Sequence, residues 1–304
     1  MTIAPITRLM NATMKRKSFG IEAIDRLLNG GLTPGALTVI AGATGVGKTQ
    51  LGLRWAHRGL AEDGRGGLIC DLTSRGDSQN HAAYAQRQFG WKLAEFQATD
   101  RLESDRVWEF NGDLGDCFRP FAKAARRVTR GDLDPEAWDA WRSDTARVSR
   151  SAAAFFYANF VRGSRRVVFD GVEPTSRFGD SIQFDFFEYL YHHVIQQEHD
   201  WAAREVFRER YRENEPRVTA SPYEHSDISC LYLYTTPEVM LDDLIAKPLG
   251  DGDVFSNANT VILMGRTRDG GGLGRSLVVV KHRGSACGDE ILPYRIGGGG
   301  IEPV

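Results

Sequence analysis

The chain is poor in the residues that staple or anchor proteins. It has four cysteines in 304 residues, Cys70, Cys117, Cys230 and Cys287, far apart and without a Cys-x-x-Cys pair. That spacing excludes a disulfide framework and the usual zinc sites, and reads as reduced thiols. No apolar run approaches the length of a membrane span, and the first residues lack the apolar core of a secretory leader. Cytoplasm is therefore the expected location, with no membrane partner. Charge of one sign is not in excess either. The net charge is −2, so no global basic field advertises nucleic acid as a partner. No repeat suggests a solenoid. What is left is ordinary soluble composition, 41% hydrophobic and 26% charged, in a chain long enough for one enlarged domain or one domain with insertions.

One segment stands out against this plain background. Residues 42–49 read Gly42-Ala43-Thr44-Gly45-Val46-Gly47-Lys48-Thr49, a complete G-x-x-x-x-G-K-[ST] loop. It follows the apolar run Leu37–Ile40 and precedes a helical stretch that begins at Gln50. Backbone amides of such a turn, together with the N-terminus of the next helix, converge on one spot and stabilise anionic oxygens there. Lys48 can reach the β- and γ-phosphates, and the Thr49 hydroxyl can ligate Mg²⁺. The reading is a site for a nucleoside triphosphate, held by Gly42 through Gln50.

The rest of the chain alternates. A short helix is expected within Ser18–Asn29, strands at Leu37–Ile40, Leu68–Leu72, Val167–Asp170, Cys230–Thr236 and Thr260–Met264, and helical segments between them. The finish is strand and turn: Ser276–Lys281, then Glu290–Ile296, with Gly270–Gly274 read as a hairpin loop and Gly297–Gly300 as a turn. This pattern predicts an α/β fold with a mostly parallel sheet, helices on both faces and an antiparallel edge. Asp170 ends a buried strand, and a carboxylate there can hold Mg²⁺ beside Thr49.

Here the residues resemble a family. Phe19 through Gly42, together with Asn259–Ile262, Val280–Ser285 and Glu290–Ile296, look like the core of RecA-like P-loop ATPases, in the branch named for the circadian-clock ATPase KaiC. The likeness covers about residues 18–95, 165–175 and 230–302. It implies a RecA-like fold and Mg–ATP bound between subunits of a homo-oligomeric ring, often of six. In that family a Lys and an Arg at the positions of Lys281 and Arg283 reach the γ-phosphate of the neighbouring subunit. Their spacing of two on a strand puts both on one face and His282 on the other.

The sequence departs from the family where water is activated. Relatives carry a catalytic Glu, often a pair, where this chain has Thr73 and Ser74. A hydroxyl is a poor base at neutral pH. Asp71, two residues earlier on the same pleat face, is the nearest substitute, and Glu173 is the second. ATP hydrolysis is accordingly expected to be slow. Two rival readings stay open: an ATP-gated scaffold or signalling ring with little turnover, and an accessory ATPase of DNA recombination or repair.

Two stretches lie outside the family pattern, helical insertions at about residues 101–162 and 176–229. Between Arg119 and Arg166 there are 11 basic and 5 acidic residues, a balance of +6. Lys123, Arg126, Arg127 and Arg130 fall on one helical face, a stripe that suits a phosphate backbone but more often is a solvated surface, so nucleic acid is the less favoured partner. Between Ser176 and Ser229 there are 11 acids and 6 basic residues, a balance of −5. Glu188, His192 and His199 share a helical face, but histidines two turns apart are poorly placed for one metal. Phe184, Phe186, Phe187, Tyr189 and Tyr191 read as packing. The opposite charges of the two insertions suit docking on each other, within a subunit, across a ring or against a protein partner. Charge reversal of Arg126 and Arg127 is expected to disturb assembly in a salt-sensitive way, read by particle mass against ionic strength; intact assembly with lost DNA binding would contradict this.

Overall fold

The computed structural model describes residues 15–73, 80–96, 107–108, 114–122, 133–173, 181–247 and 254–304. The basic stripe at positions 123–130 and Ser74 lie outside the described residues.

The chain opens with helix α1 (Glu22–Leu27), strand β1 (Leu37–Gly42), α2 (Lys48–Glu62), β2 (Leu68–Asp71), α3 (His81–Phe89), β3 (Glu95–Phe96) and β4 (Cys117–Phe118). Then come α4 (Pro135–Val161), β5 (Arg166–Val172), α5 (Ile182–Leu190), α6 (His199–Phe207), α7 (Tyr211–Ala220) and β6 (Ser229–Thr235). The last elements are α8 (Leu241–Ala246), α9 (Val254–Asn257), β7 (Thr260–Asp269), β8 (Gly272–His282), β9 (Leu292–Gly297) and β10 (Gly300–Pro303).

All ten strands form one sheet, ordered β10-β9-β8-β7-β1-β6-β5-β2-β4-β3. From β7 through β3 every pairing is parallel, and β7 to β10 are antiparallel. This is a RecA-like α/β sheet with an antiparallel carboxyl-terminal edge. β1, β2 and β5 are buried along their whole length because helices cover both faces. Alternate residues separate the two cores. Leu37, Val39 and Ala41 of β1 face the helices α4 to α7, whereas Ile40 faces α1 and α2. The same alternation assigns Phe169 of β5 to the first core and Val168 to the second. Phe184, Phe186 and Phe187 pack inside the first core, where the Phe187 and Tyr232 rings lie 4.3 Å apart. Cys70, Cys117 and Cys230 are buried free thiols.

Several boundaries differ from expectation. β7 and β8 extend to a long hairpin closed at Asp269–Gly272, because the strands continue past their apolar middles as a two-stranded ribbon. The two-residue strands β3 and β4 were not expected, since so short a run carries no periodicity. α1 is shorter than Ser18–Asn29. The Asp25 carboxylate accepts from the amides of Phe19, Gly20 and Ile21 at 2.7, 3.0 and 3.2 Å, holding that segment as a capped turn in front of the helix. In the acidic insertion the carboxylates pair locally with their own arginines, as in Asp200–Arg204 and Glu205–Arg208.

At the amino-terminal end of β5 one cation organises the ends of several elements. Arg166 is fully buried, with Nε 2.7 Å from Asp63, a second ion pair to Glu62, and Nη1 donating to the carbonyls of Ser18 and Trp55 at 2.8 and 3.0 Å. Its guanidinium also lies 5.1 Å from the centre of the Trp55 ring. Arg166→Met is expected to cost about 3–5 kcal/mol, because it strands Glu62 and Asp63 without their shared cation. Urea unfolding of the variant against wild type measures it, and a loss below about 1 kcal/mol would mean that Lys17 and Arg58 suffice.

Candidate functional site

β1 is flanked by β6 and β7, and its carboxyl end runs straight into the glycine loop. Gly42 lies so close to β7 that a Cβ there would stand 2.1 Å from the Met264 carbonyl oxygen, so no larger residue fits. The tip, Thr44 and Gly45, is exposed, while Ala43 and Val46 are buried beneath it. Gly47 then adopts φ 104° and starts α2, which leaves the first amides of a 15-residue helix at the loop. The terminal hairpin supports the loop from below. The Tyr294 hydroxyl donates to the Val46 carbonyl at 2.6 Å, and Ile296 and Ile301 pack at Gly47.

Lys48 is 7% exposed and donates to the carbonyls of Gly42 and Ala43 at 2.8 and 3.0 Å. Burial pushes its ammonium down to about 8, with Asp170 acting in the opposite direction. The Thr49 hydroxyl donates to Asp170 Oδ2 at 2.6 Å, and Gly171 N donates to the other oxygen at 2.7 Å. Gln50 sits in the first turn of α2 with its Oε1 buried and unpartnered. Thr49 and Asp170 offer hard oxygen donors beside the anion cradle. That set fits Mg²⁺, which keeps waters and phosphate oxygens for its remaining positions.

Asp71 lies in register with Asp170 on the neighbouring strand. Its Oδ1 accepts from Thr73 N and Oγ1 at 3.0 and 2.7 Å, and its Oδ2 accepts from Arg119 Nε at 3.1 Å. The His81 ring closes the group, with Nε2 3.0 Å from Asp170 Oδ2 and Nδ1 3.5 Å from Asp71 Oδ2. Burial disfavours charge on His81, but the two carboxylates overcome it and raise the imidazole to about 10. Burial likewise works against Asp71, and His81 and Thr73 outweigh it, holding the carboxyl below its usual range. Asp71 thus has partners on both oxygens, an arrangement that joins strands and leaves little room to orient water.

Lys281 and Arg283 sit elsewhere. β1 pairs Gly42 with Met264 and Thr38 with Thr260, whereas Lys281 pairs with Val261. The two cations therefore lie at the end of the sheet opposite the glycine loop, about 10 Å away along the strands. Both donate to the Ser256 carbonyl at the end of α9, at 2.9 Å from Lys281 and 3.1 Å from Arg283, and Lys281 also to Phe255 at 2.8 Å. His282 faces the other way, onto Thr260 Oγ1 at 2.8 Å.

Sequence reasoning missed His81, Arg119 and Tyr294. His81 and Asp170 are 89 positions apart and Arg119 follows the unforeseen β4, so neither leaves a local signal. Among the described residues no cluster of three or more His, Cys, Asp or Glu is arranged to hold a metal, and His199 is engaged with the Tyr157 hydroxyl at 3.0 Å. No described helix is long and apolar enough to cross a membrane.

A glycine loop at the end of a central parallel strand, Asp170 near the carboxyl end of the strand two places along and an antiparallel edge define a RecA-like P-loop protein. Within that class, residues 18–109 match the family model described as the KaiC ATPase. It is 33% identical over 89 residues to the circadian clock protein KaiC2 of Synechocystis sp., which is 29% of this chain and 15% of that protein. It is 31% identical over 103 residues to the circadian clock oscillator protein KaiC of Parasynechococcus marenigrum, 34% of this chain and 19% of that protein. The DNA repair protein RadA of Mycobacterium tuberculosis is 51% identical over 49 residues, 16% of this chain and 10% of that protein. The chain thus spans less than one fifth of the length of these curated relatives.

Tyr294→Phe is expected to lower stability by about 1–2 kcal/mol, because the buried Val46 carbonyl loses its donor. Chemical denaturation combined with amide exchange across Val46–Lys48 tests this; unchanged exchange there would show that the hairpin does not hold the loop.

Proposed function

We propose that the chain binds Mg–ATP at Gly42 through Gln50, with Thr49 and Asp170 as the metal side, and hydrolyses it slowly at the interfaces of a homo-oligomeric ring. The observation that carries the reading is the meeting of Thr49 and Asp170, 121 positions apart, at 2.6 Å beside Lys48. Lys48 would exchange its carbonyl partners for phosphate oxygens, and the loop amides would hold the anionic tail. Bound Mg²⁺ would supply charge neutralisation at the transferring phosphoryl group.

The position of Lys281 and Arg283 supports action in trans. From their end of the sheet they cannot serve the loop of their own subunit, but a neighbour packed against that end could present its nucleotide to them. They would then leave the α9 carbonyls and stabilise charge on the γ-phosphate. A ring of KaiC type, with six subunits favoured, supplies such neighbours.

A second reading is an ATP-gated scaffold with little turnover. Supporting it, Thr73 stands where the resembled family has its Glu, and Asp71 is already bound by Thr73, Arg119 and His81. Calorimetry with Mg²⁺ and ATP, run alongside particle mass and phosphate release, separates the readings. Lys48→Ala is expected to weaken ATP binding about ten- to a hundredfold, the value of losing charged hydrogen bonds to phosphate. ATP-dependent assembly with negligible phosphate release favours the scaffold. No uptake of adenine nucleotide by folded wild-type protein would overturn both.

A further inference from the structure

Parallel strands in register send matching side chains from the same face, and β2 with β5 does this at Asp71 and Asp170. The two carboxylates are 1% and 2% exposed. Buried anions set side by side repel, and such a pair keeps a proton or draws in a cation. His81, itself 4% exposed, fills that place, with its two ring nitrogens 3.5 Å from Asp71 and 3.0 Å from Asp170. Its backbone is fixed as the first residue of α3, where the Asn80 side chain caps the helix by accepting from Ala83 N at 2.8 Å. The neighbouring cations do not bridge the pair: Arg119 approaches Asp71 from a partly exposed edge, and the Lys48 ammonium is turned onto the Gly42 and Ala43 carbonyls.

We propose that His81 is a built-in counter-ion that occupies a cation seat between Asp71 and Asp170, so that the site takes a single divalent cation, at Thr49 and Asp170, and takes it together with the nucleotide. The proposal rests on the nucleotide-site reading for its second half; the seat itself rests on the geometry of the three side chains. The seat is lined by oxygens of Asp71 and Asp170, with the Thr49 hydroxyl 2.6 Å from the latter. These are hard donors of the kind that hold Mg²⁺, Mn²⁺ or Ca²⁺. With the imidazole in place the seat is filled. With a neutral side chain at position 81, the two carboxylates lose the group set between them and become a metal site needing no phosphate to complete it.

The test uses the full chain and Mn²⁺ alone as the probe, with no nucleotide, reading free Mn²⁺ by its paramagnetic resonance signal. Wild type is expected to bind Mn²⁺ only weakly. His81→Gln, close in volume but uncharged, and His81→Ala are each expected to gain one Mn²⁺ per chain, bound at least about tenfold tighter than by wild type. Adding Asp71→Asn to His81→Gln is expected to remove the gain. Circular dichroism selects folded variants, and either of the two carries the test. Folded variants that bind Mn²⁺ within about threefold of wild type overturn the proposal, as does a gain that survives Asp71→Asn. Because nucleotide is absent, failure of the ATP reading shows separately, as lack of ATP uptake by wild type.

Discussion

Two carboxylates buried side by side, one at the end of β2 and one two residues inside the carboxyl end of β5, set the terms for everything around them. Their strands are neighbours in register, so repulsion between Asp71 and Asp170 is built into the sheet. The groups that relieve it come from four elements: Thr49 from α2, His81 from α3, Arg119 from the segment after β4, and Thr73 from the turn after β2. Each must arrive at its contact for the charges to be tolerated, which ties the helices on that face to the strand ends. The glycine loop inherits its position from the same constraint, because Thr49 is the second residue of the helix that the loop starts.

The two ends of the sheet carry opposite tasks. At the carboxyl ends of the parallel strands lie the loop, the acid pair and His81. At the other end, Arg166 gathers Glu62, Asp63 and two backbone carbonyls, joining α2 to β5 with a buried cation. Lys281 and Arg283 belong to that second end through the antiparallel return of β8. Under the proposed function, a chain with the glycine loop at one end and Lys281 and Arg283 at the other is incomplete as a phosphoryl-transfer site. Under the proposed ring, a neighbouring copy completes it.

The departure from the resembled family also has a structural counterpart. Thr73, which the resemblance places where that family carries a Glu, donates to Asp71 from both its amide and its hydroxyl. The close approach of Gly171, where a Cβ would stand 2.3 Å from the Thr73 side chain, keeps this turn pressed against β5. A glutamate there would add a third carboxylate to a group already short of solvent.

The local parts of this arrangement were legible in the amino-acid order. The glycine loop is contiguous, and the strands at Leu37, Leu68, Val167 and Thr260 announce themselves as apolar runs between turns. Asp170 could be read from its place at the end of one such run. β3 and β4, each two residues long, left no trace in the sequence, and with them Arg119 was lost. His81 looked like an ordinary helix residue, and Tyr294, the lone aromatic of its strand, like a packing residue. Short-range order is written in composition and spacing because its forces act between neighbours in the chain. The charge cluster was decided only by folding, since which side chains share a buried space depends on strand order and register between segments nearly a hundred residues apart.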